Sequence, residues 1–244
     1  MYAVNLLFLV VVIMALLYGL ETIARASELF LNIVIILFVL AMVLVSPNIH
    51  TDNLLPILEN GIEPVFKGSL SLLSFSAIAI FGLAIIYPVN IVDVKKAKKS
   101  MRKGYFIGMS VLFITVLMSN LVLGSTITAI SRFPVFLLTK EINIGVIFTR
   151  LEALIVVIWV ITIFITTVIY FYYAVMGLST MLKLKDYRKI VIPIGLIMSV
   201  YSGTIYRNVS HEMEWDTLTW LPYAVTFGIF IPLLLLSISL LKKK

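Results

Sequence analysis

The chain has 244 residues, 61% of them hydrophobic and 13% charged, with a mean hydropathy of +1.13 and a formal net charge of +7. A soluble domain of this size has no core large enough to hide that much apolar surface, so the chain is read as an all-α integral membrane protein, one transmembrane domain over 1–244. It contains no cysteine, which excludes a disulfide framework, a thiolate metal site and a cysteine nucleophile within it.

Seven stretches are apolar and long enough to cross a bilayer, given the roughly 17–25 residues a spanning helix needs. They are 4–20, 29–45, 69–92, 106–130, 154–178, 190–206 and 220–241. The connections between them differ in charge. One alternate set holds Arg25, the run Lys95, Lys96, Lys98, Lys99, Arg102 and Lys103, then Lys183, Lys185, Arg188 and Lys189, and the tail Lys242 to Lys244. The other set holds Lys67, Arg132, Lys140, Arg150 and Arg207, together with Asp52, Glu59, Glu63, Glu141, Glu212, Glu214 and Asp216. The basic set is expected on the cytoplasmic side, which puts the C-terminus inside and the N-terminus outside. The basic residues therefore report topology first and a partner second, and no nucleic-acid partner is expected. Ala24-Arg25-Ala26 has the form of a signal-peptidase site, but no basic residue precedes the first span, so that span is read as a membrane helix.

Two connections on the outer side are long and apolar. In 51–67, Thr51 or Asp52 is placed to cap a short helix, with Pro56 near its start and Gly61 at its end. In 131–150, Phe133, Val135, Phe136, Leu137 and Leu138 mix with Arg132, Lys140 and Glu141. Both are expected to be interfacial helices, with a lid or docking surface as the alternative.

Ionisable groups are nearly missing from the spans. Glu152 stands at the start of the fifth, where a helix first turn favours an acid. Without deeper carboxylates, Lys or His, a proton pump, a carboxylate-coupled antiporter and a retinal pigment are disfavoured. No HExxH, nucleophile-elbow or Walker A pattern occurs, so no enzyme activity, cofactor or metal is expected. His211, Glu212, Glu214 and Asp216 are read as a solvated acidic loop rather than a cation site.

The remaining polar groups are neutral. The third span carries Ser69, Ser71, Ser74 and Ser76, then Gly82, Pro88 and Asn90. Gly in mid-span and Pro near the end weaken the helix, and a broken helix would offer backbone groups to a ligand at mid-membrane depth. Close helix packing on small residues is the other reading. In the fifth span Thr162, Thr166 and Tyr170 recur every four residues on one face, with Tyr173 and Gly177 near it. That hydroxyl stripe suits a small polar ligand or the helix's own carbonyls. The fourth span adds Ser119, Asn120, Gly124 and Ser125, and the Asn is expected to face the bundle interior.

Three runs, GLETIARASELF (19–30), NLLPILENGIEPVFKGS (53–69) and FTRLEALIVVIWVITIFI (148–165), resemble the spore germination permease family, the B subunits of nutrient germinant receptors within the amino-acid permease superfamily. The resemblance implies a fold of ten helices in two inverted repeats of five, of which this chain matches helices four to ten. Met1 is then expected to follow a truncation or a disrupted reading frame. The resemblance makes 69–92 the broken sixth helix and 154–178 the eighth. It places ligand binding at Ser76, Ile78, Gly82, Leu83, Thr166 and Tyr170, although many members carry a carboxylate where this chain has Leu83. It also implies a membrane subunit in the inner spore membrane that binds a small nutrient such as an amino acid and signals to A- and C-type subunits. A secondary amino-acid transporter is the alternative, and a truncated, non-functional remnant a third.

Overall fold

The computed structural model describes residues 2–56, 58–59, 61–91, 93–140 and 152–242, and for 2–3, 76–81 and 83–90 it describes the backbone alone. Among the described residues every regular element is helical. In order these are α1 (Tyr2–Tyr18), α2 (Leu20–Val45), α3 (Glu63–Asn90), α4 (Val94–Ile130), α5 (Pro134–Lys140), α6 (Glu152–Met181), α7 (Arg188–Ser202) and the helical run α8 (Val209–Lys242). Most of each predicted span falls on these helices, although 4–20 crosses Gly19 into α2, 69–92 runs past the end of α3 and 190–206 runs past the end of α7. Among the described residues, four segments are long and apolar enough to cross a membrane: Leu20–Asn48, Val94–Ile130, Glu152–Met181 and Val209–Lys242. α1 is a shorter apolar helix. Large apolar side chains are left open to the surroundings, among them Leu7 and Val200 at 70% exposure each, as expected where the solvent is lipid.

The connection expected at 21–28 is not a loop. It forms the first two turns of α2, separated from α1 by Gly19 alone. Glu21 lies in the first turn, where the helix dipole favours an acid, and ion-pairs with Arg25 four residues on, at 2.6 Å. Gly19 has φ 95°, ψ 168°, a conformation open to glycine and little else.

The residues cluster into two compact units. In the first (residues 1–17, 58–91 and 169–244), Val12, Leu16, Phe171, Val175 and Val191 are fully buried. Gly195 lets α7 approach its neighbours, since a Cβ there would stand 2.7 Å from Ile13 Cδ1 and 3.4 Å from Phe171 Cζ. The Tyr187 hydroxyl donates to the Leu16 carbonyl at 3.1 Å. That carbonyl lies in the last turn of α1 and needs a partner from outside the helix.

α8 contains two π-helical segments, Trp215–Thr219 and Thr226–Phe230. The Trp220 N–H donates to the Trp215 carbonyl and the Ile231 N–H to the Thr226 carbonyl, each five residues back. Both segments lie just before a proline, Pro222 and Pro232. A proline has no N–H and its ring presses on the carbonyl four residues earlier, so widening the preceding turn relieves the clash without ending the helix.

The second unit (residues 18–57 and 92–168) has a core of Phe38, Ala41, Met42, Val45, Met118, Leu121, Leu138 and Ile155. α5 supplies Leu138, fully buried, and Thr139, 1% exposed. It is therefore packed into protein rather than laid on the membrane surface as expected. Phe133 and Phe136 set their rings against Trp159, and the rest of the predicted outer segment, 141–150, lies outside the described residues. The helix expected from Thr51 to Gly61 reduces to a four-residue 3₁₀ turn, Thr51–Leu54. Gly61 has φ 76° and ends a separate turn in which its N–H donates to the Leu58 carbonyl at 2.9 Å.

Candidate ligand site

The residues of the third predicted span leave open a break near Gly82, which the family resemblance implies, or close packing on its small residues. α3 stays helical from Glu63 to Asn90, through both Gly82 and Pro88. Gly82 serves close packing. A Cβ on it would collide with the Tyr173 ring, meeting Cε2 and Cδ2 and lying 2.9 Å from Cζ. The absent side chain is what lets the α6 tyrosine lie against the α3 backbone, the use of glycine that packed membrane helices favour.

Tyr173 is 7% exposed, and its hydroxyl is buried with no hydrogen-bond partner among the described residues. A buried hydroxyl without a partner costs roughly 1–3 kcal/mol in protein mutational data, and usually finds one. Tyr170 stands one turn away with its ring edge-on to Tyr173 at 6.1 Å. It is 45% exposed. The first unit thus gathers Gly82, Tyr170 and Tyr173 around one unsatisfied phenol.

The other predicted site residues fare differently. Ser76, Ile78 and Leu83 lie on the helical backbone of α3, and their side chains lie outside the described residues. Thr166 shares a face of α6 with Tyr170 by spacing, is exposed, and belongs to the second unit. Thr162 turns its hydroxyl back to the carbonyls of Ile158 at 2.8 Å and Trp159 at 3.1 Å, so that end of the stripe is spent on its own helix. Tyr173 was noted beside the stripe but not counted in the site. The signal for it was its position seven residues after Thr166, two turns along the same face.

The broken helix is in the second unit. Gly124 of α4 has φ 79°, ψ 161° inside an otherwise helical run. The Thr128 hydroxyl donates to the Ser119 carbonyl at 3.1 Å. In a straight helix those residues would stand about 13 Å apart along the axis, so the chain turns back on itself at Gly124. The freed backbone is met from the segment after α2. The Asn53 side-chain amide donates to the Leu121 carbonyl at 2.9 Å and the Val122 carbonyl at 3.4 Å, and the His50 N–H donates to Leu121 at 3.1 Å. Ser119 is 2% exposed and its hydroxyl has no partner among the described residues. Asn120, expected to face the interior, bonds back to the Val116 carbonyl at 2.8 Å, which satisfies its amide within its own helix.

Aromatic rings line α8. Trp220 stacks on Phe75 at 5.2 Å and on Tyr223 at 6.2 Å, and Trp215 contacts both Trp220 and Tyr206. Among the described residues no group of three or more His, Asp or Glu side chains is placed to hold a metal ion.

Comparison with known proteins agrees with this helical architecture. The chain is 31% identical to spore germination protein KB of Bacillus subtilis (strain 168), over 99% of its own length and 65% of that protein. It is 30% identical to spore germination protein YndE and 24% identical to spore germination protein A2 of the same strain, over 93% of its length in each case. It spans 61% of the former and 60% of the latter, so it covers a little under two thirds of the relatives it matches. No solved structure matches it. The spore germination protein family profile covers residues 1–210, and the chain belongs to that family, as an all-helical, multi-pass membrane protein.

Proposed function

We propose that this chain is a membrane subunit of a nutrient germinant receptor, seated in the inner spore membrane with its basic connections and C-terminus toward the cytoplasm. It binds a small nutrient such as an amino acid and passes the signal to A- and C-type partner subunits. Family membership supports the process. The observation that carries the site is the buried Tyr173 hydroxyl, without a hydrogen-bond partner among the described residues, against the bare backbone of Gly82. Such a hydroxyl can donate to a ligand carboxylate or accept from a ligand ammonium without any charged side chain nearby. A ligand that satisfies it gains a hydrogen bond that the empty site leaves unmade. Binding then shifts a conformational equilibrium by as much as the ligand prefers one state over the other. In this reading Ser76, Ile78 and Leu83, on the same helix as Gly82, belong to the same site.

The test is a germination assay in spores lacking the locus, restored with the chain and its A- and C-type partners. Wild type is expected to restore the response to an amino acid. Tyr173→Phe, which keeps the ring and removes the hydroxyl, is expected to need roughly tenfold more nutrient, the loss of one buried hydrogen bond. An unchanged dose response in Tyr173→Phe removes the site. Failure of wild type to restore any response, with accumulation of labelled amino acid in vesicles, replaces the receptor by a transporter.

A further inference from the structure

The N-terminal three turns of α4 carry a charge arrangement that the helix itself opposes. Lys95, Lys96, Lys98, Lys99, Arg102 and Lys103 fall within nine residues, every one exposed, and no Asp or Glu stands among them. Their spacing makes like-charge neighbours at i,i+4, in the pairs Lys95 and Lys99, Lys98 and Arg102, and Lys99 and Lys103. Each such pair disfavours the helix. The cluster also sits at the positive end of the helix dipole, where cations are unfavourable. The nearest acid, Asp93, spends its carboxylate as the N-cap, accepting the Lys96 N–H at 3.0 Å. None of the six cations makes an ion pair among the described residues, unlike Arg25 with Glu21 and Lys67 with Glu63. An anionic partner outside the helix would relieve this repulsion, roughly 0.2–0.5 kcal/mol per pair.

Length says where that partner lies. From Val94 to the turn at Gly124, α4 runs about 45 Å at 1.5 Å per residue, against a hydrocarbon core of about 30 Å. About ten residues must therefore stand at the level of the lipid headgroups, and the apolar part of the same helix begins directly after Lys103. There Lys99, Arg102 and Lys103 surround a shallow cavity of about 390 Å³ completed by Phe106 and Ile107. Phe106 is 66% exposed beside Tyr105, an aromatic pair at the depth where rings mark the membrane interface.

We infer that the first three turns of α4 bind the phosphates of anionic phospholipid headgroups, with Lys99, Arg102 and Lys103 as the phosphate ligands and Phe106 and Ile107 against the start of the acyl chains. Cations at the interface attract anionic lipid at about fivefold in binding for each. The helix keeps its shape because the phosphates supply the negative charge its own sequence lacks.

The test uses the full chain purified in neutral detergent and titrated with phosphatidylglycerol, phosphatidylcholine or inorganic phosphate, with bound lipid read by native mass spectrometry. Phosphatidylglycerol is expected to bind preferentially. The triple variant Lys99→Gln, Arg102→Gln, Lys103→Gln is expected to lose about a hundredfold of that affinity, and added salt is expected to erase the preference in wild type. Lys183→Gln, Lys185→Gln, Lys189→Gln, a comparable loss of charge elsewhere, is expected to lose clearly less affinity. Equal binding of the two lipids, displacement of phosphatidylglycerol by inorganic phosphate alone, or equal loss in both triple variants overturns the assignment. In the first of those cases the cations serve topology or an acidic protein segment instead.

Discussion

Gly82 and Gly124 are both mid-helix glycines in apolar spans, and the molecule uses them in opposite ways. Gly82 keeps helical geometry, and what matters is the missing side chain, because Tyr173 of α6 occupies the space. Gly124 leaves helical geometry, and what matters is the missing steric barrier to φ 79°. Around Gly124 there is ordinary room, with the nearest atoms to a built Cβ being Asn53 Oδ1 at 3.7 Å and Cγ at 3.8 Å. One glycine is a contact and the other a conformation. The contact brings a tyrosine to a backbone, and the conformation sets backbone carbonyls free for Asn53 and His50.

Substitution separates the two uses. Gly124→Val is expected to cost the most, about 3 kcal/mol or more, because a β-branched residue is a severe outlier at positive φ. Asn53→Ala should not relieve it, since the strain is in the backbone. Thermal unfolding of the purified chain measures both, and rescue by Asn53→Ala would mean that Gly124 is a contact after all. Gly82→Ala is expected to cost about 1–3 kcal/mol through overpacking, reduced by the helix preference of alanine. Here rescue is expected: in the background of Tyr173→Ala the same substitution should be neutral or stabilising. A double-mutant cycle with a coupling under about 0.5 kcal/mol would show that the two residues do not share that space.

This difference also explains how much was legible beforehand. Segments 4–20, 106–130 and 154–178 are visible in sequence because lipid rewards an unbroken apolar run, and each is largely helical, with Gly19 and Gly124 interrupting the first two. The family was legible too, from three short runs in the right order. What composition does not encode is the partner of each glycine. Gly82 beside Pro88 looks more breakable than Gly124 beside Ser125, yet α3 holds and α4 turns. The outcome depends on Tyr173 and Asn53, which lie 91 and 71 residues away in sequence. Tyr170 was found because it completes a four-residue spacing, and Tyr173 was left out of the site because its importance comes from α3. Likewise α5 carries the composition of an interfacial helix, and only the core formed by Phe38, Met118 and Ile155 shows that Leu138 has a protein partner.

Two smaller effects probe the Gly124 turn itself. Asn53→Ala removes the amide from the Leu121 and Val122 carbonyls but leaves Leu121 its His50 N–H, so the cost is expected at about 1–2 kcal/mol. A larger loss would mean that Asn53 alone holds the turn, and no loss that the carbonyls find other donors when it is absent.

Ser119→Ala is the smallest expected effect and the one whose sign is most informative. The hydroxyl is buried without a partner among the described residues, about one and a half turns before the break, while the Ser119 carbonyl is already met by Thr128. Removing a buried polar group that makes no hydrogen bond relieves its desolvation cost, and alanine is the better helix former. The variant is therefore expected to gain up to about 1 kcal/mol in thermal unfolding of the empty protein. A loss of similar size would instead reveal a hydrogen bond to Ser119 in the folded chain. The turn at Gly124 would then be held by the α4 hydroxyls as well as by Asn53, whereas Gly82 would still depend on one ring.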